Sequence, residues 1–388
     1  MRKLKRLVAG AAAAAAVTMS VAAIAAIGAG TALADPGTCT TPITPAASDV
    51  VGVGSDTIQN LLDQLSLDYN AAHSTGSKLY SWDAVNPCTG ATGDTITTKT
   101  GATAIARPNG SGQGITALEN NTSATVDYAR SSRARNGTDP ATIAFVALAR
   151  DAVTWSSRSA ASGGTNAPAS LSLTQLASIY SCSSTARTWN QVGGTSTATI
   201  NPVLPQSGSG TRAFFLSAIG VASPGTCVNA TTPEENEGTA TVLNDANAIF
   251  PYSVADFIAQ VYHSSGSGAN KFGTDVHGVL TLNEASATTG GTVVAPTSVW
   301  PLPAPPASVT INSGFVPNFI RVVSDVVRNA SPIAVPPAPQ LYTIPTYLVP
   351  FFGTKSAGGW VCGSGNTTAT TDITNYGFLT SFGCGGTS

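Results

Sequence analysis

Three short segments of the chain place hydroxyls and glycines directly ahead of an apolar helical repeat, a combination that can hold an anion. They are Ser55-Asp56-Thr57, Asn109-Gly110-Ser111-Gly112-Gln113-Gly114 and Gln206-Ser207-Gly208-Ser209-Gly210-Thr211. The first N–H groups of a helix have no partner inside it, and the macrodipole adds partial positive charge there. Ser and Thr hydroxyls add donors without charge, and Gly lets the backbone come close to a ligand. Holding an oxyanion at micromolar affinity takes about −8 kcal/mol. At roughly 1.5 to 3 kcal/mol per hydrogen bond to a charged group, four or five well-aimed donors exceed that before the cost of association, so the loops have to converge. Taken singly, each loop reads equally as ordinary N-cap and turn chemistry. Arg212 follows the third loop and has the geometry to pair bidentately with an oxyanion, against the plainer reading of a solvated first-turn residue. No GxxxxGK[ST] is present, which excludes a P-loop.

The elements that must position these loops follow from hydrophobic spacing. Val50 to Gly54 predicts a strand, and Ile58, Leu61, Leu62, Leu65 and Tyr69 predict the helix after it. Ala102 to Ala106 and Ile200 to Leu204 predict strands before the other two loops. Helices are expected after them, through Ile115 and Leu118 and through Phe214, Phe215, Ala218 and Ile219. Thr142 to Leu148 is a further apolar run, and Leu171 to Tyr180 and Val254 to Tyr262 have helical spacing. The spacing also predicts a helix through Phe319, Val322, Val323, Val326 and Val327, and a strand pair over Leu341 to Phe352. Pro296 to Pro306 and Pro332 to Pro339 read as loops. Strands feeding helices through Gly/Ser turns argue for an α/β architecture.

The 388 residues suggest two or three domains at roughly 100 to 200 residues each. Only 10% of residues are charged, and 39 Gly and 24 Pro are present, which excludes a coiled coil, an acidic disordered tail and a basic nucleic-acid binder. Arg2, Lys3, Lys5 and Arg6 precede an uncharged run ending in Ala32-Leu33-Ala34, the order of a signal peptide over residues 1–34. An uncleaved membrane anchor is the alternative. Removing those four basic residues from the 18 Lys and Arg leaves 14 against 20 acidic residues, a net charge near −6. No Cys follows Ala34, so a lipid anchor at a new N-terminus is not expected.

Cys39, Cys88, Cys182, Cys227, Cys362 and Cys384 contain no CxxC pair, which argues against structural zinc or a redox motif and for disulfides in an oxidising compartment. Sequence alone does not choose among the possible pairings; the sequential one, Cys39 with Cys88, Cys182 with Cys227 and Cys362 with Cys384, is the expectation.

Gly52-Val53-Gly54-Ser55-Asp56-Thr57, Arg107-Pro108-Asn109-Gly110-Ser111-Gly112, Asp127-Tyr128-Ala129-Arg130-Ser131-Ser132-Arg133 and Ser207-Gly208-Ser209-Gly210-Thr211-Arg212 occur in this order. In that order and spacing the chain resembles the phosphate-binding substrate-binding proteins of ABC transporters, and most closely their actinobacterial exported branch. The resemblance spans most of 48–352. It implies a periplasmic-binding-protein fold of the second type: two α/β lobes, each a mixed sheet flanked by helices, joined by two crossing segments. Lobe 1 is expected over 48–148 and 253–352, lobe 2 over 149–252, and a loop-rich, Cys-containing tail over 353–388. Carried over residue by residue, the ligand set is Ser55, Asp56, Thr57, Ser111, Gly112, Ser132, Ser209, Gly210 and Thr211, with Arg212 added from the spacing. In two places the chain departs from the family's pattern: Ser132 stands where an Asp usually accepts the ligand's remaining proton, and Pro205 where an Arg often stands.

The signal-like segment and the resemblance together imply an exported protein, extracellular or cell-wall associated and monomeric. It would capture a small oxyanion, phosphate first, without a cofactor, with an ABC transporter permease as partner and no nucleic acid. A secreted surface or interaction protein on the same scaffold is the main alternative. An exported hydrolase is the remote one, because only His73, His263 and His277 exist and none lies in a catalytic motif.

Overall fold

The computed structural model describes residues 35–388 apart from 38, 121–124, 264–276, 300–308, 332–339 and 364–365. The signal-like segment, the second Pro-rich stretch and most of the first lie outside the described residues.

A nine-stranded mixed sheet organises the chain. Its strands are β1 (Val50–Gly54), β2 (Leu79–Ser81), β3 (Tyr128–Ser131), β4 (Ile143–Arg158), β5 (Asn201–Pro202), β6 (Ala248–Ser253), β7 (Leu280–Leu282), β8 (Ile320–Arg328) and β9 (Leu379–Thr380). They run in the order β2-β1-β3-β8-β4-β6-β5, with β7 and β9 also on β4. β1 is parallel to β2 and β3, and all five of its residues are buried, as a strand covered on both faces should be. The helices between these strands include α1 (Gln59–Ala72), α2 (Gly110–Glu119), α3 (Leu173–Tyr180) and α4 (Gly210–Ala218). All three hydroxyl-rich loops therefore lead into helices, as expected.

β4 is the spine. Its 16 residues pair with β8 over 143–152 and with β6 over 153–156, so one strand passes from one half of the molecule to the other. β7 pairs with β4 beyond Trp155, and the strand Glu284–Ser286 pairs with Ser170–Ser172.

Two expectations are corrected. The segment Ile320–Arg328 is a strand, not a helix. Its valines match helical spacing, yet they are β-branched, and a register shift between Val323 and Ser324 breaks the alternation that would have marked a strand. Residues 341–352 form no strand pair; Thr346–Leu348 is a 3₁₀ turn and Val349–Phe352 a single helical turn, entered through Pro345 and Pro350. Phe352 packs on Tyr128 and Phe351 on Tyr69, at centroid distances of 4.9 and 4.7 Å.

The tail carries short regular elements and packs on the sheet. Thr367–Asn375 is a helix, β9 pairs with β4, and the Phe145 and Ala147 peptide groups exchange hydrogen bonds with Gly385, Gly386 and Ser388 at 2.8 to 3.0 Å. It covers an edge of the spine strand that would otherwise be open. The three disulfides follow the sequential pairing, with Cα separations of 5.6 Å for Cys39–Cys88, 5.7 Å for Cys182–Cys227 and 5.4 Å for Cys362–Cys384.

Candidate functional site

The ends of β1 and β3 and the starts of α2 and α4 meet at one buried point. Gly54 has φ +118°, a conformation that favours glycine, and turns the chain from β1 into Ser55. Arg130 on β3 holds this turn, its Nε donating to the Ser55 carbonyl at 2.9 Å and Nη2 to the Gly54 carbonyl at 3.2 Å. On the other side Gly112 N–H donates to the Gly208 carbonyl at 3.0 Å, joining the second and third loops. Gly210 sits so tightly that an added Cβ would lie 2.2 Å from Ser111 Oγ and 2.3 Å from Ser132 Oγ.

What the loops surround is a carboxylate of the chain itself. Glu235 Oε1 accepts from Ser55 Oγ at 2.6 Å, Thr57 Oγ1 at 2.8 Å, Thr57 N–H at 3.2 Å and Ser132 Oγ at 3.2 Å. Glu235 Oε2 accepts from the Thr211 N–H at 2.9 Å and from Ser209 Oγ. Glu235, Ser55, Ser132 and Thr211 are all 0% exposed. Burial alone pushes a carboxyl up; here the Arg321 charge, the Ser209 and Ser55 hydroxyls and the Thr211 N–H overcome it and bring Glu235 down to about 2. The cradle therefore holds the Glu235 carboxylate in its ionised form.

The segment carrying Glu235 is docked. Its N–H donates to Asp56 Oδ2 at 3.3 Å, and Asn236 Nδ2 donates to the Asp56 carbonyl at 3.2 Å. The Asn236 carbonyl accepts from Tyr252 and from Gln260, each at 2.7 Å. Glu234 accepts from Asn109 Nδ2 at 3.0 Å.

Arg321 on β8 supplies the cation. Its Nη2 donates to Asp151 Oδ2 at 2.7 Å and to Thr211 Oγ1 at 3.0 Å, and its Nη1 donates to the Ser132 carbonyl at 2.8 Å. Both members of the Arg321–Asp151 pair are fully buried.

Of the residues expected from sequence, Ser55, Thr57, Ser132, Ser209 and Thr211 donate directly to the buried carboxylate. Ser111 stands behind them, its Oγ 3.2 Å from Ser132 Oγ. Gly210 serves close approach, and Gly112 donates its N–H to the Gly208 carbonyl. Asp56 accepts from Gln206 Nε2 at 2.9 Å instead of donating into the cradle. Burial first, and then the Glu235 and Glu234 carboxylates, push its pKa well up. The Arg212 guanidinium is turned away to the Pro205 carbonyl at 2.9 Å. Sequence reasoning missed Arg321, which lay in the segment read as a helix. It also missed Glu235, although Glu234-Glu235-Asn236-Glu237 is a conspicuous acidic run in so uncharged a chain. His73 stacks on Tyr69 at 4.1 Å and His277 faces Phe257 at 5.3 Å; neither enters the cradle.

Strand ends and helix starts of a mixed α/β fold thus converge on one buried carboxylate. The chain belongs to the PBP superfamily: the model of a PBP superfamily domain matches residues 40–298. Among solved structures it is similar to a putative phosphate ABC transporter substrate-binding protein with bound phosphate from Clostridium perfringens. That likeness has 12% identity and a TM-score of 0.50 over 86% of this chain and 99% of that one. An ABC-type phosphate transport receptor from Vibrio cholerae matches at 16% identity and a TM-score of 0.49, over 86% of this chain and 100% of that one. At 12% identity the likeness to the Clostridium perfringens protein is one of fold. No curated protein matches the sequence. Among the described residues, no helix is long and apolar enough to cross a membrane.

Proposed function

We propose that the chain is an exported solute-binding protein whose cleft captures a small oxyanion, phosphate first, for an ABC-type permease. One observation supports this reading: uncharged donors from the first and third loops and from Ser132 converge on a single buried position, where the Arg321 charge and those donors together keep the Glu235 carboxylate ionised. Short, charge-assisted hydrogen bonds in a dry site are how a protein of acidic net charge can read an anion without an attractive overall field. Calorimetric titration of the chain from Asp35 onward with phosphate, sulfate and a small sugar tests it. Saturable heat from phosphate is expected; no heat from any oxyanion, in the wild type and in Glu235→Ala alike, sinks it.

A second reading is favoured by the occupant itself. With Glu235 in the cradle, the scaffold can stand closed without solute, as a secreted surface or interaction protein would. The absence of heat in both proteins would select this reading, and release of phosphate from model esters would instead favour a hydrolase.

A further inference from the structure

Resting on the oxyanion-binding reading, the geometry points to Glu235 as a tethered ligand of the cradle and as the residue that decides which external anions can enter. Its two oxygens take six hydrogen bonds from residues of the first, third and Ser132 loops. No solute oxygen can reach those donors while the carboxylate is there, because the donors are already engaged and the position is closed to solvent. An anion from solution therefore binds only when the segment around Glu235 withdraws.

Two consequences follow. The apparent dissociation constant is the intrinsic one divided by the fraction of molecules with the cradle vacant, so a segment withdrawn in about 1 to 10% of molecules weakens binding by about 10- to 100-fold. Entry is also selective. A monovalent carboxylate from solution offers the cradle nothing that Glu235 does not already offer, and Glu235 has the advantage of its tether. A tetrahedral dianion brings more charge and more oxygens, and displaces it. Glu235 thereby supplies a charge-based filter that Ser132, standing where the family usually carries an Asp, does not provide.

The test is titration of wild type, Glu235→Ala and Tyr252→Phe, each as the full chain from Asp35, with inorganic phosphate and with acetate at pH 7.5. Removing the carboxylate should tighten phosphate binding by about 10- to 100-fold, and acetate, silent with wild type, should bind Glu235→Ala. Equal phosphate affinities, with acetate ignored by both, overturn the role of Glu235 and leave oxyanion binding intact. Silence of both proteins toward both anions, while each melts cooperatively, overturns the oxyanion reading and this inference with it. If Glu235→Ala does not fold, Tyr252→Phe decides. It removes a hydroxyl that anchors the Asn236 carbonyl and leaves every cradle donor in place, so phosphate should bind a few-fold tighter; an unchanged affinity counts against the tethered ligand.

Discussion

The hydroxyls of Thr57 and Thr211 meet at 3.1 Å although 154 residues separate them in sequence. They form the middle of a directed chain: Arg321 Nη2 donates to Thr211 Oγ1, Thr211 donates to Thr57 Oγ1, and Thr57 donates to Glu235 Oε1. A buried cation is thereby linked to a buried anion through neutral groups, each bond polarising the next. The chain joins the first loop, the third loop and β8, which explains why loops so far apart in sequence share one site.

Breaking the middle of that chain should be costly. Thr211→Val leaves the backbone donor to Glu235 in place but removes the hydroxyl, stranding one donor of Arg321. Urea denaturation should show a loss of about 1 to 3 kcal/mol with an unchanged m-value. Thr211→Ser, which keeps the hydroxyl, should recover most of it.

The Arg321–Asp151 pair should be more sensitive still. Arg321→Met leaves Asp151 charged and buried, which typically costs about 3 to 5 kcal/mol. Arg321→Lys should not rescue the loss, because one ammonium lacks the planar fork that reaches Asp151, the Ser132 carbonyl and Thr211 together. Rescue by lysine in a denaturation series would show that only the charge matters.

The buried acids give stability an unusual pH dependence. Burial pushes Asp325 up to about 8 and Asp63 up to about 7, with Arg130 opposing the shift in both. A carboxyl whose folded pKa is raised binds more protons in the native than in the unfolded state. Its contribution to stability therefore falls as pH rises from its unfolded value of 3.8 toward those folded values. Asp325→Asn should reduce that fall, measured as unfolding free energy between pH 4 and about 8. Parallel wild-type and variant curves would contradict the assignment.

Glu235 has the opposite sign. Lowered from 4.5 to about 2, it contributes stability above its unfolded pKa that is lost as pH falls through the lower value. Glu235→Gln should be less stable than wild type at pH 6, with the gap closing as the pH approaches 2. A gap that stays constant would mean that the carboxylate is not held by the cradle as an anion.

Much of this arrangement could be read from sequence because it is local. A Gly/Ser turn between an apolar run and a helical repeat needs no tertiary information, so β1, α1, α2 and α4 and the donors Ser55, Thr57, Ser209 and Thr211 were legible. Ser132 emerged through family resemblance rather than spacing. What was not legible depends on distant partners. The strand character of Ile320–Arg328 comes from neighbours on both sides and a register shift, so the buried Arg321 was hidden inside a helical pattern. Arg212 looked like a ligand because it follows the loop, but its side chain finds the Pro205 carbonyl. Glu235 lies in a segment with no periodicity, and only the fold reveals that its carboxylate fills the place expected for a solute.

The proposed function makes the position now taken by Glu235 an oxyanion site. A crystal structure of Glu235→Ala grown with phosphate tests it most directly. The account predicts one phosphate in the vacated position, with oxygens within hydrogen-bond distance of Ser55, Thr57, Ser132, Ser209 and the Thr211 N–H. A cradle that collapses on itself or fills with water, at phosphate concentrations that saturate other binders of the anion, would contradict it.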